Sequence, residues 1–157
     1  MTRLLIDTSV LIKWFHSDGE SQLEQARALR SAHVTGVLTG HVLDLATYEV
    51  GNVLSRALRW RAVDVADQLD DLHAILGPPL VPTPDMLRRA TTLASTHRLS
   101  FYDATWAATA AHLGIPLVSA DRQLISAGLA ESPLDTTTRL NLPLRGRAPT
   151  DQHLTAT

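Results

Sequence analysis

The chain has 157 residues, no cysteine, and 14 basic side chains against 16 acidic ones, for a formal net charge of −2. Without cysteine there is no disulfide scaffold, no thiolate-held zinc or iron–sulfur centre and no thiol nucleophile. A hydrophobic content of 45% with 19% charged residues suits one compact domain with its own core.

In chain order, the apolar run Leu4, Leu5, Ile6 stops at Asp7-Thr8-Ser9, which predicts a strand buried on both faces, as in a parallel sheet. A helix is expected from about Ser21 to Ala32, with Leu23, Ala26 and Leu29 on one face, and the apolar patch from Val37 to Leu43 predicts a second strand. From Leu45 to about Arg59 the positions Ala46, Val50, Val53, Leu54, Ala57 and Leu58 recur at helical spacing. Another helix is predicted from Val63 to Leu76, stopped by Gly77-Pro78-Pro79. Leu80-Val81-Pro82 then makes a brief strand before Thr83 caps the next helix.

Ser100-Phe101-Tyr102-Asp103 opens a further helix, which Gly114 ends near Leu113 with Pro116 shortly beyond. Residues Pro116 to Ser119 predict a strand, and Asp121 begins a short helix. A last strand is expected within Leu134 to Leu144, closing a single domain over residues 1–144, and the polar residues 145–157 are expected to form a loosely ordered tail. Strands and helices alternate almost throughout, which argues for an α/β fold with a largely parallel sheet. The stretch from Ala104 to Val118 is shorter than the ~20 apolar residues a membrane span needs. Asp7 and Lys13 interrupt the N-terminal apolar run, so a signal peptide is not expected and the predicted location is the cytoplasm.

Asp7 and Asp121 each directly follow an apolar strand, so a parallel sheet would carry both to its carboxyl edge, where open α/β folds place their ligand sites. Glu49 falls on or beside the core-facing stripe of its helix, where a charge needs a partner, and Asn52 lies on roughly the same side to orient it. Asp103 opens a helix of its own. Each acid has a bland reading: Asp103 as half of a capping box with Ser100, Asp121 as an N-cap, Asp7 in an Asx-turn, Glu49 in an ion pair with Arg56 or another arginine. No single one of these explains why four acids from four separated elements should gather.

Gathered carboxylates repel one another unless cations neutralise them, and oxygen ligands without histidine or cysteine favour Mg²⁺ or Mn²⁺ over zinc. Such ions activate water and stabilise the attacking and leaving oxygens of a phosphodiester, which is nuclease chemistry. Setting these four aside leaves 12 acids against the 14 basic residues, 13 of them arginine. The formal charge therefore describes a concentrated acidic centre in a mildly positive body.

Four segments, Asp7-Thr8-Ser9-Val10-Leu11, Glu49-x-x-Asn52, Leu99-Ser100-Phe101-Tyr102-Asp103-Ala104 and Leu117-Val118-Ser119-Ala120-Asp121, together resemble a PIN-domain ribonuclease of the VapC toxin type. The resemblance spans about residues 3 to 127. It implies a three-layer α/β/α sandwich around a mostly parallel, about five-stranded sheet, with an acidic pocket that binds Mg²⁺ or Mn²⁺ and cleaves RNA. By position it makes Asp7, Glu49, Asp103 and Asp121 the metal and catalytic acids, supported by Thr8, Ser9, Asn52 and Ser119. It also implies a homodimer and a small VapB-type antitoxin partner. A catalytically silent PIN-type RNA-binding or scaffold domain is one rival. The other is a Mg²⁺-dependent phospho-receiver module, which would need a lysine after a late strand, whereas Lys13 is the sole lysine and lies early.

Lys13, His16, Arg98, Arg122, Arg145 and Arg147 are candidate phosphate contacts. Trp14, Trp60 and Trp106 are expected to fill the core or a subunit interface.

Overall fold

The structure, a computed structural model, describes residues 1–145; beyond Arg145 the predicted polar tail, with Arg147, lies outside the described residues. The apolar run at the start of the chain forms β1 (Thr2–Ile6), the central strand of a parallel sheet in the order β2-β1-β3, with β2 (Leu38–His41) and β3 (Leu117–Val118) beside it. Leu4, Leu5 and Ile6 are fully buried, as a strand covered on both faces requires. One parallel bridge joins Leu80 to Leu43, just past β2, and another joins Glu131 to the outer side of Val118 in β3. The about five-stranded sheet expected from the sequence is thus three strands and two single-residue bridges. Pro82 has no N–H to extend the ladder beyond Leu80.

Eight α-helices flank this sheet among the described residues: α1 (Thr8–Ile12), α2 (Leu23–Val34), α3 (Leu45–Asn52), α4 (Ala62–Leu76), α5 (Pro84–His97), α6 (Phe101–Leu113), α7 (Arg122–Ser126) and α8 (Pro133–Arg139). Their ends follow the signals in the sequence. The Thr83 hydroxyl accepts from the Met86 amide at 3.3 Å to start α5, and Gly114, at φ 65°, ends α6 in the left-handed conformation that favours glycine.

Two segments differ from expectation. The helix predicted over residues 45–59 stops being α-helical at Asn52 and passes into a π-helical turn, Val53–Ala57, in which the Leu58 amide bonds to the Val53 carbonyl at 3.0 Å. The wider turn keeps Leu54 buried but swings Ala57 into solvent, off the predicted stripe. The strand expected within residues 134–144 is instead the helix α8. Ser132 caps it by accepting from the Asp135 amide at 3.0 Å, and Pro133 occupies its first turn. Its β-branched Thr136 and Thr137 turn their hydroxyls back onto the carbonyls of Ser132 and Pro133, both at 2.9 Å, which lets them be buried inside a helix.

One apolar cluster joins the layers, with Ile6, Val10, Leu29, Leu43, Leu54, Trp106, Leu117 and Leu124 among its buried members. A Cβ at Gly40 would lie 2.7 Å from the Cδ1 of Ile6, so a larger residue there would require that buried side chain to shift. No helix among the described residues is long and apolar enough to cross a membrane. The chain leaves β1 for β2 on one side and later returns to β3 on the other, so the carboxyl ends of β1 and β3 flank the point where the winding reverses. Crevices at such points are where α/β sheets bind ligands.

Candidate functional site

Asp7 ends β1 and caps α1. Its Oδ1 accepts from the Ser9 amide at 3.0 Å and from the Ser9 hydroxyl. That hydroxyl also accepts from the Ala120 amide at 2.9 Å, so Ser9 bolts the end of β1 to the segment that follows β3. The Ser119 hydroxyl accepts from the Asp121 amide at 3.0 Å, and Asp121 caps α7 by accepting from the Gln123 amide at 2.7 Å. The Asx-turn and N-cap readings of Asp7 and Asp121 are therefore correct. Each cap uses Oδ1 and leaves the second carboxylate oxygen free of these bonds.

Asp7 is only 5% exposed. Burial pushes its pKa up to about 6 against the pull of the Ser119 and Ser9 hydroxyls, and the nearby Glu49 charge raises it further.

Glu49 is half-buried on α3, and no arginine pairs with it: among the described residues the ion pairs are Lys13–Glu20, Arg61–Asp64 and Arg139–Glu131. Its Oε1 instead accepts from the indole N–H of Trp106 on α6, at 3.1 Å. The Thr8 hydroxyl lies close enough to help lower the Glu49 pKa, yet Thr8 Oγ1 is a buried oxygen that makes no well-formed hydrogen bond. The net shift at Glu49 is upward, through burial and the Asp103 charge.

Asp103 sits in the first turn of α6, where its amide donates to the Ser100 hydroxyl at 3.1 Å. Its pKa is raised by partial burial and by the Asp121 charge, with Ser100 opposing. The repulsions thus link Asp7 to Glu49, Glu49 to Asp103 and Asp103 to Asp121, in one line drawn from four elements.

The donors in this line are carboxylate and hydroxyl oxygens, a set suited to a hard divalent cation. Among the described residues no three histidine or acidic side chains close around a single point. The buried Thr8 oxygen that lacks a hydrogen-bond partner and the buried Asp7 carboxylate, which no basic side chain pairs with among the described residues, are what a bound cation would satisfy.

The other candidates divide. Thr8, Ser9 and Ser119 are at the site, but Asn52 is exposed at the end of α3 and makes no hydrogen bond to Glu49 among the described residues. Lys13 is withdrawn as a phosphate contact: it is 3% exposed and its Nζ donates to Glu20 at 2.6 Å and to the Ser21 carbonyl at 2.8 Å. Arg98 and Arg122 are exposed, and Arg122 directly follows Asp121. Trp14 donates to the Ala26 carbonyl and Trp60 packs edge-on against Phe15, as structural tryptophans do. Trp106 is buried as expected, but its bond to Glu49 escapes a sequence reading because 57 residues separate the two. A cavity of about 520 Å³ lined by Asp44, Thr47, Tyr48, His73 and Pro79 includes none of the four acids.

The PIN domain family model matches residues 4–128, which contain all four acids. Ribonuclease VapC3 of Pyrobaculum aerophilum is 30% identical over 126 residues, 78% of this chain and 92% of the relative. Exonuclease VapC9 of the same organism is 34% identical over 85 residues, 54% of this chain and 64% of that protein. The crystal structure of PAE2754 from Pyrobaculum aerophilum superposes with a TM-score of 0.63 at 27% identity, covering 89% of this chain and 97% of that one. With the sheet, the switch point and the line of acids in place, the chain belongs to the PIN-domain family and, within it, to the VapC type.

Proposed function

We propose that this protein is a Mg²⁺- or Mn²⁺-dependent endoribonuclease, the toxin of a VapBC-type toxin–antitoxin pair acting in the cytoplasm, with Asp7, Glu49, Asp103 and Asp121 as its metal-binding and catalytic acids. The observation that carries the proposal is the line of four acids from four elements, none of them paired with a basic side chain among the described residues. Asp7, Glu49 and Asp103 are pushed up by burial and like charge, a cost that a purely structural carboxylate would shed through an arginine.

Bound at these acids, a divalent ion would supply water activation and neutralise charge on a phosphodiester. The chain's own contribution is placement. Ser9 and Ser119 hold Asp7 and the backbone around Asp121 to one another. Thr8 presents a free hydroxyl next to Glu49, and the exposed Arg122 offers a guanidinium to phosphate beside Asp121. No side-chain nucleophile is required. The partners that go with this reading are an RNA, a small VapB-type antitoxin and a second copy of the chain.

Cleavage of RNA with and without chelator, in wild type and Asp7→Asn, tests it. Chelator should abolish activity, and the substitution should reduce it on the order of a thousandfold. Equal rates in all four conditions would overturn the proposal. A closed circular RNA separates internal cutting from attack at an end, because only an endonuclease can open it.

A further inference from the structure

The α6 helix surrounds Trp106 with small buried residues, Ala104, Thr105, Ala107, Ala108, Thr109 and Ala110. Trp106 is 1% exposed, and its indole nitrogen is a donor with no acceptor capacity, so it needs an acceptor at that spot. Trp14 satisfies the same need with a backbone carbonyl, at 2.9 Å. Trp106 satisfies it with the carboxylate of Glu49, reaching from α6 to α3.

The choice of donor matters. An arginine in this place would orient Glu49 and also cancel its charge, and so compete with any cation the carboxylate is meant to hold. An indole N–H orients one oxygen and leaves the full negative charge. It also cannot accept a proton, so it favours the ionised carboxylate over the protonated acid.

We infer that Trp106 is a positioning residue for Glu49: its indole N–H fixes Oε1, so that Oε2 faces the acidic centre with its charge intact for a divalent cation. The inference rests on the metal-centre reading above. It adds a residue outside the acid and hydroxyl set.

The test uses nitrogen-15 NMR of the three tryptophan indole groups and Mg²⁺ titration followed by calorimetry, neither of which needs RNA. The indole resonance absent from Trp106→Phe identifies Trp106. It should move in Glu49→Gln and again when Mg²⁺ is added to wild type. Trp106→Phe keeps an aromatic ring but loses the donor, and should weaken Mg²⁺ binding about tenfold, as loss of a ligand-orienting partner does. In RNA cleavage it should lower kcat with KM within about twofold of wild type.

A folded Trp106→Phe that binds Mg²⁺ as wild type does would overturn the inference, whatever its thermal midpoint. If that variant does not fold, Trp14→Phe and Trp60→Phe assign the remaining indole resonance to Trp106, and the wild-type spectrum decides: indifference of that resonance to both Glu49→Gln and Mg²⁺ overturns the inference, and movement in both supports it. A wild type that binds Mg²⁺ but never cuts RNA defeats the ribonuclease reading and leaves Trp106 standing. A wild type that shows no Mg²⁺ response defeats both.

Discussion

Asp7 and Asp121 come off the ends of strands, whereas Glu49 and Asp103 ride on helices, and the two pairs are held by different means. The strand-borne pair is fixed through backbone amides and two serine hydroxyls that join β1 to the turn after β3. The helix-borne pair has less: Glu49 has one indole N–H, and Asp103 relies on the cap at Ser100. Burial follows the same division at its extremes, with Asp7 enclosed and Asp103 half-exposed. The difference teaches that one half of the centre is built into the sheet edge, whereas the other half depends on a contact between two helices and on one helix cap.

The sharpest way to break this comparison is to neutralise one acid from each half and measure folding in chelator. Asp7 has a pKa of about 6 in the fold against 3.8 in the absence of its surroundings. Between roughly pH 4 and pH 6 the folded protein keeps a proton that the unfolded chain has released, so wild-type stability falls as pH rises through that window and stays low above it. Asp7→Asn removes the burden. It should stabilise the chelated protein by about 2–3 kcal/mol at pH 7.5, raising Tm by roughly 4–10 °C, and bring no gain near pH 4. Asp103→Asn should change Tm much less, since water already reaches its carboxylate. Equal gains from the two, read by calorimetric scanning at both pH values, would show that the strand-borne acid is no more constrained than the helix-borne one. Stabilisation joined to loss of cleavage is the usual exchange at a site that stores strain.

A smaller effect is expected at Ser9. Its hydroxyl serves the Asp7 carboxylate and the Ala120 amide together, so Ser9→Ala leaves a buried acceptor and a part-buried donor short of partners. A loss of about 2 kcal/mol follows from that kind of orphaning. Chemical denaturation measures it, and an unchanged midpoint would mean that the bolt between the two strand ends does not bear on the fold.

These same contacts mark where the sequence was readable. Asp7 and Asp121 announce themselves because a buried strand stops at each, and a parallel sheet has only one carboxyl edge to deliver them to. Asp103 was ambiguous between cap and ligand, and the structure gives the cap to Ser100 while leaving the carboxylate beside Asp121. The partner of Glu49 could not be read, since a bond between α3 and α6 depends on tertiary packing that no local pattern encodes. Asn52 follows Glu49 by three residues, close to the same helix face, but it is exposed at the end of α3. In the fold, α1 is too short for any period to register, and the threonines of α8 mimic a strand until their hydroxyls are seen bonded back along a helix.

The smallest effect belongs to the helix-borne half. Ser100→Ala removes the hydroxyl that accepts from the Asp103 amide and should cost about 1 kcal/mol, the usual price of a lost N-cap. The Asp103 carboxylate itself remains, so cleavage at neutral pH should stay within a few-fold of wild type. Ser100 holds the Asp103 pKa down against burial and the Asp121 charge. Without it the carboxylate takes up a proton at higher pH, and the acid limb of the pH–rate profile should move upward. Rates measured from pH 5 to pH 8 distinguish the outcomes. A loss of rate as deep as that in Asp7→Asn across the whole range would mean that Asp103 needs fixed placement as much as Asp7 does, and the division between the strand-borne and helix-borne halves would fail.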